Sequence, residues 1–412
     1  MKVMADLRIV GKAVVDGRLL DEVTVEIDGE RISSVSVGEF GSGPKLLLGK
    51  GQLLLPSATD LHVHLRDWNQ AYKEDVFTGT SAAAAGGVTT VAEMPNTSPP
   101  IRSPEALRER LGLLAARAVV DYSVHVGALE KVEDAKRALE LGACGMKLYP
   151  EDLERFEDYL KVSRESGMRL VVHAELEGGD EVKAVRMLLS HIRPNDDVRF
   201  AHISRAESLR MIELAKEKFG ARITVEATPH HLLLSEEELD ENSRRISAVR
   251  PPLASMADKQ YVFSGLERCS VDFIASDHAP HTLEEKVSER RAPGFPGLEI
   301  TYPLMLTEWL EGRLEISTLL KKLCRAPAEY LGIPKGDIRK GFYADLVVFD
   351  TRIQWNVSAK DFLSKAKYTP FEGRKLSAKV VSVFRRGELV YDGSLLVKGG
   401  GVHVRELSRK HG

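Results

Sequence analysis

The sequence of 412 residues has only three cysteines, which are Cys144, Cys269 and Cys324. They are far apart and form no Cys-x-x-Cys pair, so the sequence excludes a disulfide framework and a cysteine-based zinc site. Asparagine and glutamine are also scarce, whereas glutamate, lysine and arginine are plentiful. This composition is typical of heat-adapted proteins.

The sequence also lacks any apolar run near the roughly 20 residues that span a bilayer. Near its start, Asp6 and Arg8 interrupt the apolar stretch that a signal peptide requires. The 58 lysines and arginines nearly balance the 61 acidic residues, for a formal net charge of −3. This balance gives no electrostatic support for binding to nucleic acid or to an anionic membrane. We therefore expect a cytoplasmic protein that binds neither.

Eight short β-rich runs recur along the middle of the chain, and segments with helical periodicity separate them. The runs are Thr59–His64, Val88–Pro95, Val120–Gly127, Ala143–Tyr149, Arg169–Ala174, Val198–Ile203, Arg222–Thr228 and Val271–Ser276. Connecting segments such as Ser103–Arg117, Leu153–Ser166 and Ala206–Phe219 place apolar residues three and four positions apart, as amphipathic helices do. Strands that alternate with helices run parallel, so the pattern predicts an α/β protein with a (β/α)8 TIM barrel over residues 55–339.

The two ends of the chain alternate instead like half-buried antiparallel strands. These segments are Leu7–Val15, Val23–Ile27 and Arg31–Val37 before the barrel, and Leu346–Phe349, Lys379–Arg385 and Glu388–Val390 after it. Because a closed barrel places its first and last elements side by side, we predict one small β domain built from residues 1–54 and 340–412. Two independent β pieces are the alternative.

The chemistry begins at the end of the first predicted barrel strand, in Asp60-Leu61-His62-Val63-His64. Residues i and i+2 of a strand point to one face, so His62 and His64 project together into the barrel mouth. The carboxyl ends of barrel strands are where active sites are built. A His-x-His pair alone is a weak signal, and its weight depends on the residues that accompany it.

Three further residues end other predicted strands at the same side of the barrel. His173 ends the fifth, His202 the sixth and Asp277 the eighth. Imidazoles and a carboxylate are the ligands that zinc and similar metals prefer, so the group predicts a metal site. Lys147, on the fourth strand, points toward the same mouth. As an ammonium it would repel cations, whereas a carbamate would make it anionic and able to bridge two metals. A lysine that reaches past the rim is the alternative.

Seven stretches of the sequence carry a family resemblance. They are Asp60–Asp67, Glu93–Thr97, Gly145–Tyr149, Val172–Glu175, Ala275–Lys286, Pro293–Glu299 and Tyr368–Arg374. They resemble the dihydroorotases of the cyclic amidohydrolase superfamily, and most of all the dihydroorotase domain of the animal multifunctional pyrimidine-synthesis protein. The stretches ASDHAPHTLEEK and PGFPGLE are highly specific, whereas HxH and the ADLVVFD of Ala344–Asp350 are shared across the superfamily.

The resemblance implies a binuclear zinc site, with two Zn²⁺ per subunit. His62, His64 and Asp277 would bind one ion and His173 and His202 the other, and Lys147 would bridge them as N6-carboxylysine, formed with CO2 or bicarbonate. The activity it implies is the reversible hydrolysis of (S)-dihydroorotate to N-carbamoyl-L-aspartate in pyrimidine (UMP) biosynthesis. Asp277 would take the proton of the attacking water and return it to the leaving nitrogen.

Specificity for dihydroorotate requires recognition of its ring carboxylate. Arg66, two residues past His64, can grip a carboxylate with two parallel hydrogen bonds. The resemblance assigns Arg66, Asn96 and His281 to this carboxylate. It places Arg250, Pro293 and Gly294 around the ring. The segment after Lys147 lacks the threonine that relatives use in a mobile lid, so the sequence does not say how the site closes.

Two other functions stay open at this point. One is a hydantoinase, dihydropyrimidinase or allantoinase, against which Arg66 and Asn96 argue because those rings carry no such carboxylate. The other is a non-catalytic paralogue that acts as a scaffold, although this chain retains every metal-ligand position. The resemblance also raises a homodimer and an association with aspartate transcarbamoylase, and the residues decide neither.

Overall fold

The computed structural model of the protein describes residues 5–176, 178–219 and 222–409. Its centre is formed by eight strands that run parallel to their neighbours. The strands are β6 (Ala58–Val63), β7 (Val88–Glu93), β8 (Asp121–Val124), β9 (Met146–Leu148), β10 (Leu170–Val172), β11 (Val198–Phe200), β12 (Ile223–Ala227) and β13 (Phe273–Ile274). Seven of the eight predicted runs contain one of these strands entirely, and β6 begins one residue before its run.

The eight strands form a ring. Hydrogen-bonded ladders form two sheets, one with the order β6-β7-β8 and the other with the order β9-β10-β11-β12-β13. Two parallel bridges connect these sheets, one between Val126 and Met146 and the other between Val63 and His278. The amide of His64 donates to the carbonyl of His278 across the second junction, at 2.8 Å. The TIM-barrel prediction is thereby confirmed.

Helices follow the strands and cover the outside of the ring, as right-handed crossovers require. The helices are α1 (Val76–Ala85), α2 (Pro104–Arg117), α3 (Val132–Leu141), α4 (Phe156–Ser166), α5 (Glu181–His191), α6 (Ala206–Phe219), α7 (Pro229–Leu233), α8 (Glu241–Ile246), α9 (Met256–Glu267), α10 (Leu283–Val287), α11 (Leu298–Leu310), α12 (Ile316–Leu320), α13 (Ala326–Leu331) and α14 (Val404–Arg409). A 3₁₀ helix, Pro150–Arg155, precedes α4 and continues directly into it. No helix in the described ranges is both long and apolar enough to cross a membrane.

Strands from both ends of the chain share one sheet beside the barrel, so the prediction of a β unit built from both termini is also confirmed. Its strands are β1 (Leu7–Val15), β2 (Arg18–Asp28), β3 (Arg31–Val37), β4 (Lys45–Leu47), β5 (Gln52–Pro56), β14 (Leu346–Asp350), β17 (Lys379–Arg385) and β18 (Glu388–Tyr391). A separate short pair is β15 (Trp355–Asn356) with β16 (Lys375–Leu376). The domain boundaries stay a proposal, and the first falls within β5.

The sheet packs against the barrel through alternate side chains. On β5, Leu53 and Leu55 belong to the barrel core, whereas Leu54 belongs to a second core on the other face of the sheet. On β14, Val347 faces the barrel and Val348 faces away in the same manner. This alternation follows from the two-residue period of a strand. The sheet thus supports the barrel from its side and leaves the strand ends free for the site.

Candidate active site

A cavity of about 250 Å³ opens at the carboxyl ends of the barrel strands. All twelve residues that the sequence singled out line it, namely His62, His64, Arg66, Asn96, Lys147, His173, His202, Arg250, Asp277, His281, Pro293 and Gly294. Tyr149, Pro150, Glu151 and Ala279 complete its wall. The structure therefore brings the predicted metal ligands and the predicted substrate contacts to one place, although their roles stay predictions.

The backbone turns sharply where several of these side chains enter the cavity. Arg66, His202 and Asp277 have φ angles of 54°, 38° and 48°. Residues other than glycine rarely adopt positive φ, and when they do the strain is stored most often at functional sites. Each of the three follows a barrel strand by only two or three residues. The turns redirect these side chains from the strand axis into the cavity.

His62 and His64 each form a hydrogen bond through Nδ1, which leaves Nε2 of both rings near one oxygen of Asp277. Nδ1 of His62 lies 2.6 Å from Glu226 Oε1, and Nδ1 of His64 lies 2.6 Å from Asn96 Oδ1. Because both partners are acceptors, each ring carries its proton on Nδ1. Burial lowers the pKa of both rings well below the ordinary value, so both are neutral.

The other nitrogens of these rings converge on Asp277. Nε2 of His62 is 3.4 Å and Nε2 of His64 is 3.2 Å from Asp277 Oδ1. These two nitrogens bear lone pairs, so three electron donors face a common point. Ligand atoms of all three residues lie within 4.8 Å of one another. This donor set fits a divalent cation such as zinc.

Asp60 holds together the two chain segments that carry His62 and Asp277. Its Oδ1 accepts the amide of His62 at 3.0 Å, and its Oδ2 accepts the amide of Ser276 at 3.0 Å. One buried carboxylate therefore joins the end of β6 to the segment after β13. This link holds Asp277 beside the histidines.

Lys147 is fully buried, and its Nζ has no hydrogen-bond partner among the described residues. Burial lowers its pKa to about 7, so the charged form is costly at this position. A buried amine without a hydrogen-bond partner destabilises the folded protein unless a bound group supplies the missing partner. The lysine therefore does not reach past the rim, and its amine is available for chemistry inside the cavity.

His173 and His202 form the other histidine pair, with ring centroids 4.4 Å apart. Nε2 of His173 lies 2.6 Å from Glu175 Oε2, which leaves Nδ1 as the acceptor nitrogen. Nδ1 of His202 is buried and has no hydrogen-bond partner in the part of the chain that the structure describes. The pair thus offers two neutral imidazoles, each with an unused lone pair, and their chemistry fits a second cation.

A second group of lining residues, around Arg66 and His281, forms a cationic wall of the cavity. Arg66 is 6% exposed, and its Nε donates to the carbonyl of Pro280 at 3.2 Å. Its NH2 group lies 3.2 Å from Nε2 of His281. His281 also lies 3.0 Å from the carbonyl of Pro293, and burial beside Arg66 and Lys73 lowers its pKa to about 3. The wall combines a fixed guanidinium with a neutral imidazole, a combination suited to a carboxylate.

Arg250 and Gly294 also line the cavity. Arg250 Nε pairs with Glu175 Oε2 at 3.1 Å, so the arginine is also linked to His173 through that carboxylate. Gly294 has φ of 118°, and a Cβ at this position would lie 2.6 Å from the carbonyl oxygen of Ala279. Only glycine permits this close approach of two backbones.

Three acids that hold site residues were not identified from the sequence as such, namely Asp60, Glu175 and Glu226. Glu226 on β12 is fully buried between His62 and Arg199, whose Nε lies 3.7 Å from Oε2. An acidic residue within the otherwise apolar run Ile223–Ala227 is the signal that could have found it. Metal-binding histidines commonly donate their second nitrogen to such a carboxylate.

Comparisons with known proteins agree with this geometry. The model of the amidohydrolase family matches residues 53–390. A dihydroorotase from Pyrococcus abyssi is 34% identical over 396 residues, which cover 94% of this chain and 95% of that protein. A dihydroorotase from Aeropyrum pernix is 34% identical over 411 residues, with 94% and 95% coverage. The multifunctional protein CAD of Squalus acanthias is 36% identical over 362 residues. The aligned region covers 84% of this chain and 15% of that protein.

Solved structures share the architecture at lower identity. The L-hydantoinase (dihydropyrimidinase) from Arthrobacter aurescens has a TM-score of 0.88 at 24% identity, over 97% of this chain and 99% of its own. The dihydropyrimidinase from Brevibacillus agri has a TM-score of 0.86 at 23% identity, over 97% and 98% of the two chains. These likenesses concern the barrel and its adjoining sheet.

Proposed function

The chain belongs to the amidohydrolase family, within which it is a dihydroorotase, and we propose that it interconverts (S)-dihydroorotate and N-carbamoyl-L-aspartate at a binuclear zinc site. One observation carries the proposal. A single cavity is lined both by side chains that can bind metal and by a cationic wall suited to a carboxylate. The reaction belongs to pyrimidine (UMP) biosynthesis.

We propose that the site holds two Zn²⁺ ions. His62, His64 and Asp277 hold one, and His173 and His202 hold the other. Lys147 contributes to both as N6-carboxylysine, because its buried and unpartnered amine can add to CO2 and the resulting carbamate is anionic. When bound, the ions polarise the ring carbonyl and lower the pKa of a water molecule.

Asp277 performs the proton transfers in this proposal. Its Oδ1 lies near Nε2 of both His62 and His64, and the residue is 9% exposed and lines the cavity, so it would contact both a bound cation and the substrate. It accepts a proton from the attacking water as the C–O bond forms. It then gives this proton to the ring nitrogen as the C–N bond breaks. In the synthetic direction the steps reverse, and one water is released.

The cationic wall selects the substrate. Arg66 binds the ring carboxylate with its guanidinium, and Asn96 and His281 contribute further hydrogen bonds. Arg250, Pro293 and Gly294 enclose the ring. Dihydrouracil has the same ring without the carboxylate, so it would leave the buried Arg66 without a carboxylate partner, which is the arrangement that produces strong discrimination.

A substrate panel tests the proposal. The purified protein, supplied with zinc and bicarbonate, is assayed for ring opening of dihydroorotate, dihydrouracil, hydantoin and allantoin, and for closure of N-carbamoyl-L-aspartate. We expect turnover of dihydroorotate and carbamoyl aspartate only. A preference for a ring without a carboxylate would refute the assignment of Arg66, Asn96 and His281. Absence of any reaction despite bound metal would support the scaffold function.

We further propose that the protein acts in the cytoplasm as a homodimer and associates with aspartate transcarbamoylase. The last point is supported by the match to part of the multifunctional protein CAD. Light scattering of the pure protein measures the oligomer. Co-elution with the transcarbamoylase of the same organism measures the association, and separate elution at micromolar concentration would contradict it.

A further inference from the structure

Two loops that enclose the cavity come from distant parts of the chain. The first, residues 248–251, carries Arg250, and the second, residues 292–294, carries Pro293 and Gly294. The amide of Gly294 donates to the carbonyl of Ala248 at 2.8 Å. The position of Arg250 relative to Gly294 therefore depends on what holds these loops together.

Lys286 lies between the two loops, on α10. Its side chain is fully buried, and its Nζ donates to the carbonyls of Ala248 at 2.5 Å, Ala292 at 3.0 Å and Gly294 at 2.7 Å. An ammonium group has three donors, and here each donor meets one carbonyl. Within the described ranges, no carboxylate lies within salt-bridge distance of this nitrogen.

Burying the charged amine of Lys286 costs free energy, so we look for a role of this residue beyond filling space in the core. Burial without a countercharge lowers the pKa of Lys286 to about 7. A neutral amine has only two donors, so the ammonium is the form that satisfies all three carbonyls. Each carbonyl belongs to one of the two loops, and none belongs to α10 itself.

The helix that carries Lys286 is itself fixed to the cationic wall. Glu285, the preceding residue, pairs with Lys73 at 3.0 Å and accepts the hydroxyl of Tyr72 at 2.9 Å. Its Oε2 lies 3.1 Å from Nδ1 of His281. The two adjacent side chains thus connect the cationic wall, through α10, to both loops.

We propose that Lys286 is a positioning residue that holds the two substrate loops in register and thereby sets the KM for dihydroorotate without touching it. The inference rests on the proposed function, because Arg250, Pro293 and Gly294 are substrate contacts only under that proposal. Lys286 contacts no metal-binding side chain. Its loss acts on substrate binding and leaves the metal site in place.

The test replaces Lys286 with methionine, which has a similar length but no donor. We expect KM to rise about ten- to a hundredfold, the loss that follows when one or two hydrogen bonds to a charged substrate are misaligned. We expect kcat to stay within about threefold of the parent value. The misaligned loops would weaken the binding of the substrate and of the transition state equally, and such a loss raises KM without lowering kcat. Metal content is expected to be unchanged.

Lys335→Met is the matched control. Lys335 is also buried, and its Nζ also has three partners, at 3.1 Å from Thr90, 2.5 Å from Asp121 and 2.8 Å from Asp345. These partners lie away from the cavity. We expect this variant to lose stability without a change in KM, so an equal rise of KM in both variants would overturn the proposal.

A second variant and a second readout separate the inference from the proposed function. Lys286→Gln retains two donors and is expected to give an intermediate KM even if Lys286→Met does not fold. Hydrogen exchange of the Gly294 amide is expected to accelerate at least about tenfold in Lys286→Gln but not in Lys335→Met, and this measurement requires no substrate. Unchanged exchange would refute the inference. An inactive parent protein with accelerated exchange in the variant would instead refute the proposed function alone.

Discussion

Glu226 is expected to control how firmly His62 holds a cation. Its carboxylate is fully buried, with Oε1 2.6 Å from Nδ1 of His62 and Oε2 3.7 Å from Nε of Arg199. The substitution Glu226→Gln keeps the size of the side chain but removes its charge. The amide also places a donor where the carboxylate had only acceptors.

The contacts of Glu226 indicate how much the substitution lowers the metal affinity and the free energy of unfolding. A hydrogen bond to a charged group contributes about 1.5–3 kcal/mol, against about 1 kcal/mol for a neutral pair, so the bond to His62 weakens by about 0.5–2 kcal/mol. This difference corresponds to a loss of about 2- to 30-fold in metal affinity. Removing one partner of a buried ion pair costs about 3–5 kcal/mol. Because the separation from Arg199 is long, we expect the free energy of unfolding to fall by about 3 kcal/mol, the lower limit of that range.

Chelator competition of the zinc-loaded proteins measures the first effect, and urea unfolding of the metal-free proteins measures the second. Glu181→Gln is the control, since Glu181 is also buried but accepts from Ser204 and from the amide of Arg205, neither of which lines the cavity. We expect both variants to lose stability and only Glu226→Gln to release zinc at lower chelator concentration. Identical release curves for the parent and both variants would refute the reasoning.

Three further predictions address the proposed chemistry. Asp277→Ala is expected to reduce turnover about 10²- to 10⁴-fold while most of the metal stays bound, since His62 and His64 remain as ligands; turnover near the parent level would exclude Asp277 as the proton carrier. Lys147→Ala is expected to lose activity and regain part of it with short carboxylic acids, and kinetics indifferent to the substitution would remove the carbamate from the proposal. Gly294→Ala is expected to lower the free energy of unfolding by about 1–3 kcal/mol in urea titration, because of the positive φ and the contact with Ala279; an unchanged midpoint would contradict this.

The positions of the site residues could be predicted because they depend on strand ends. His62, His173 and Asp277 each end a periodic run, and parallel strands of a barrel bring their carboxyl ends together whatever the details of packing. The terminal strands β1 and β3 were predicted with the bounds that the structure gives them.

What could not be predicted depends on contacts between distant segments. The bond between His62 and Glu226 joins residues 164 positions apart, and nothing local in either strand specifies it. Lys286 stood within a recognised motif, but its three carbonyl partners follow from the folding of two loops. The short β4 (Lys45–Leu47) was missed because three residues carry no measurable periodicity.

We propose that a carboxylate-binding wall makes this metal site specific for dihydroorotate, and the ratio of kcat/KM for dihydroorotate to that for dihydrouracil measures this specificity. We predict that the zinc-loaded protein favours dihydroorotate by at least about 10³-fold, and that Arg66→Met lowers this ratio by about 10²-fold or more, because the ring carboxylate then loses its partner, the Arg66 guanidinium. A ratio near one in the parent protein, or a ratio unchanged by Arg66→Met, would contradict the claim.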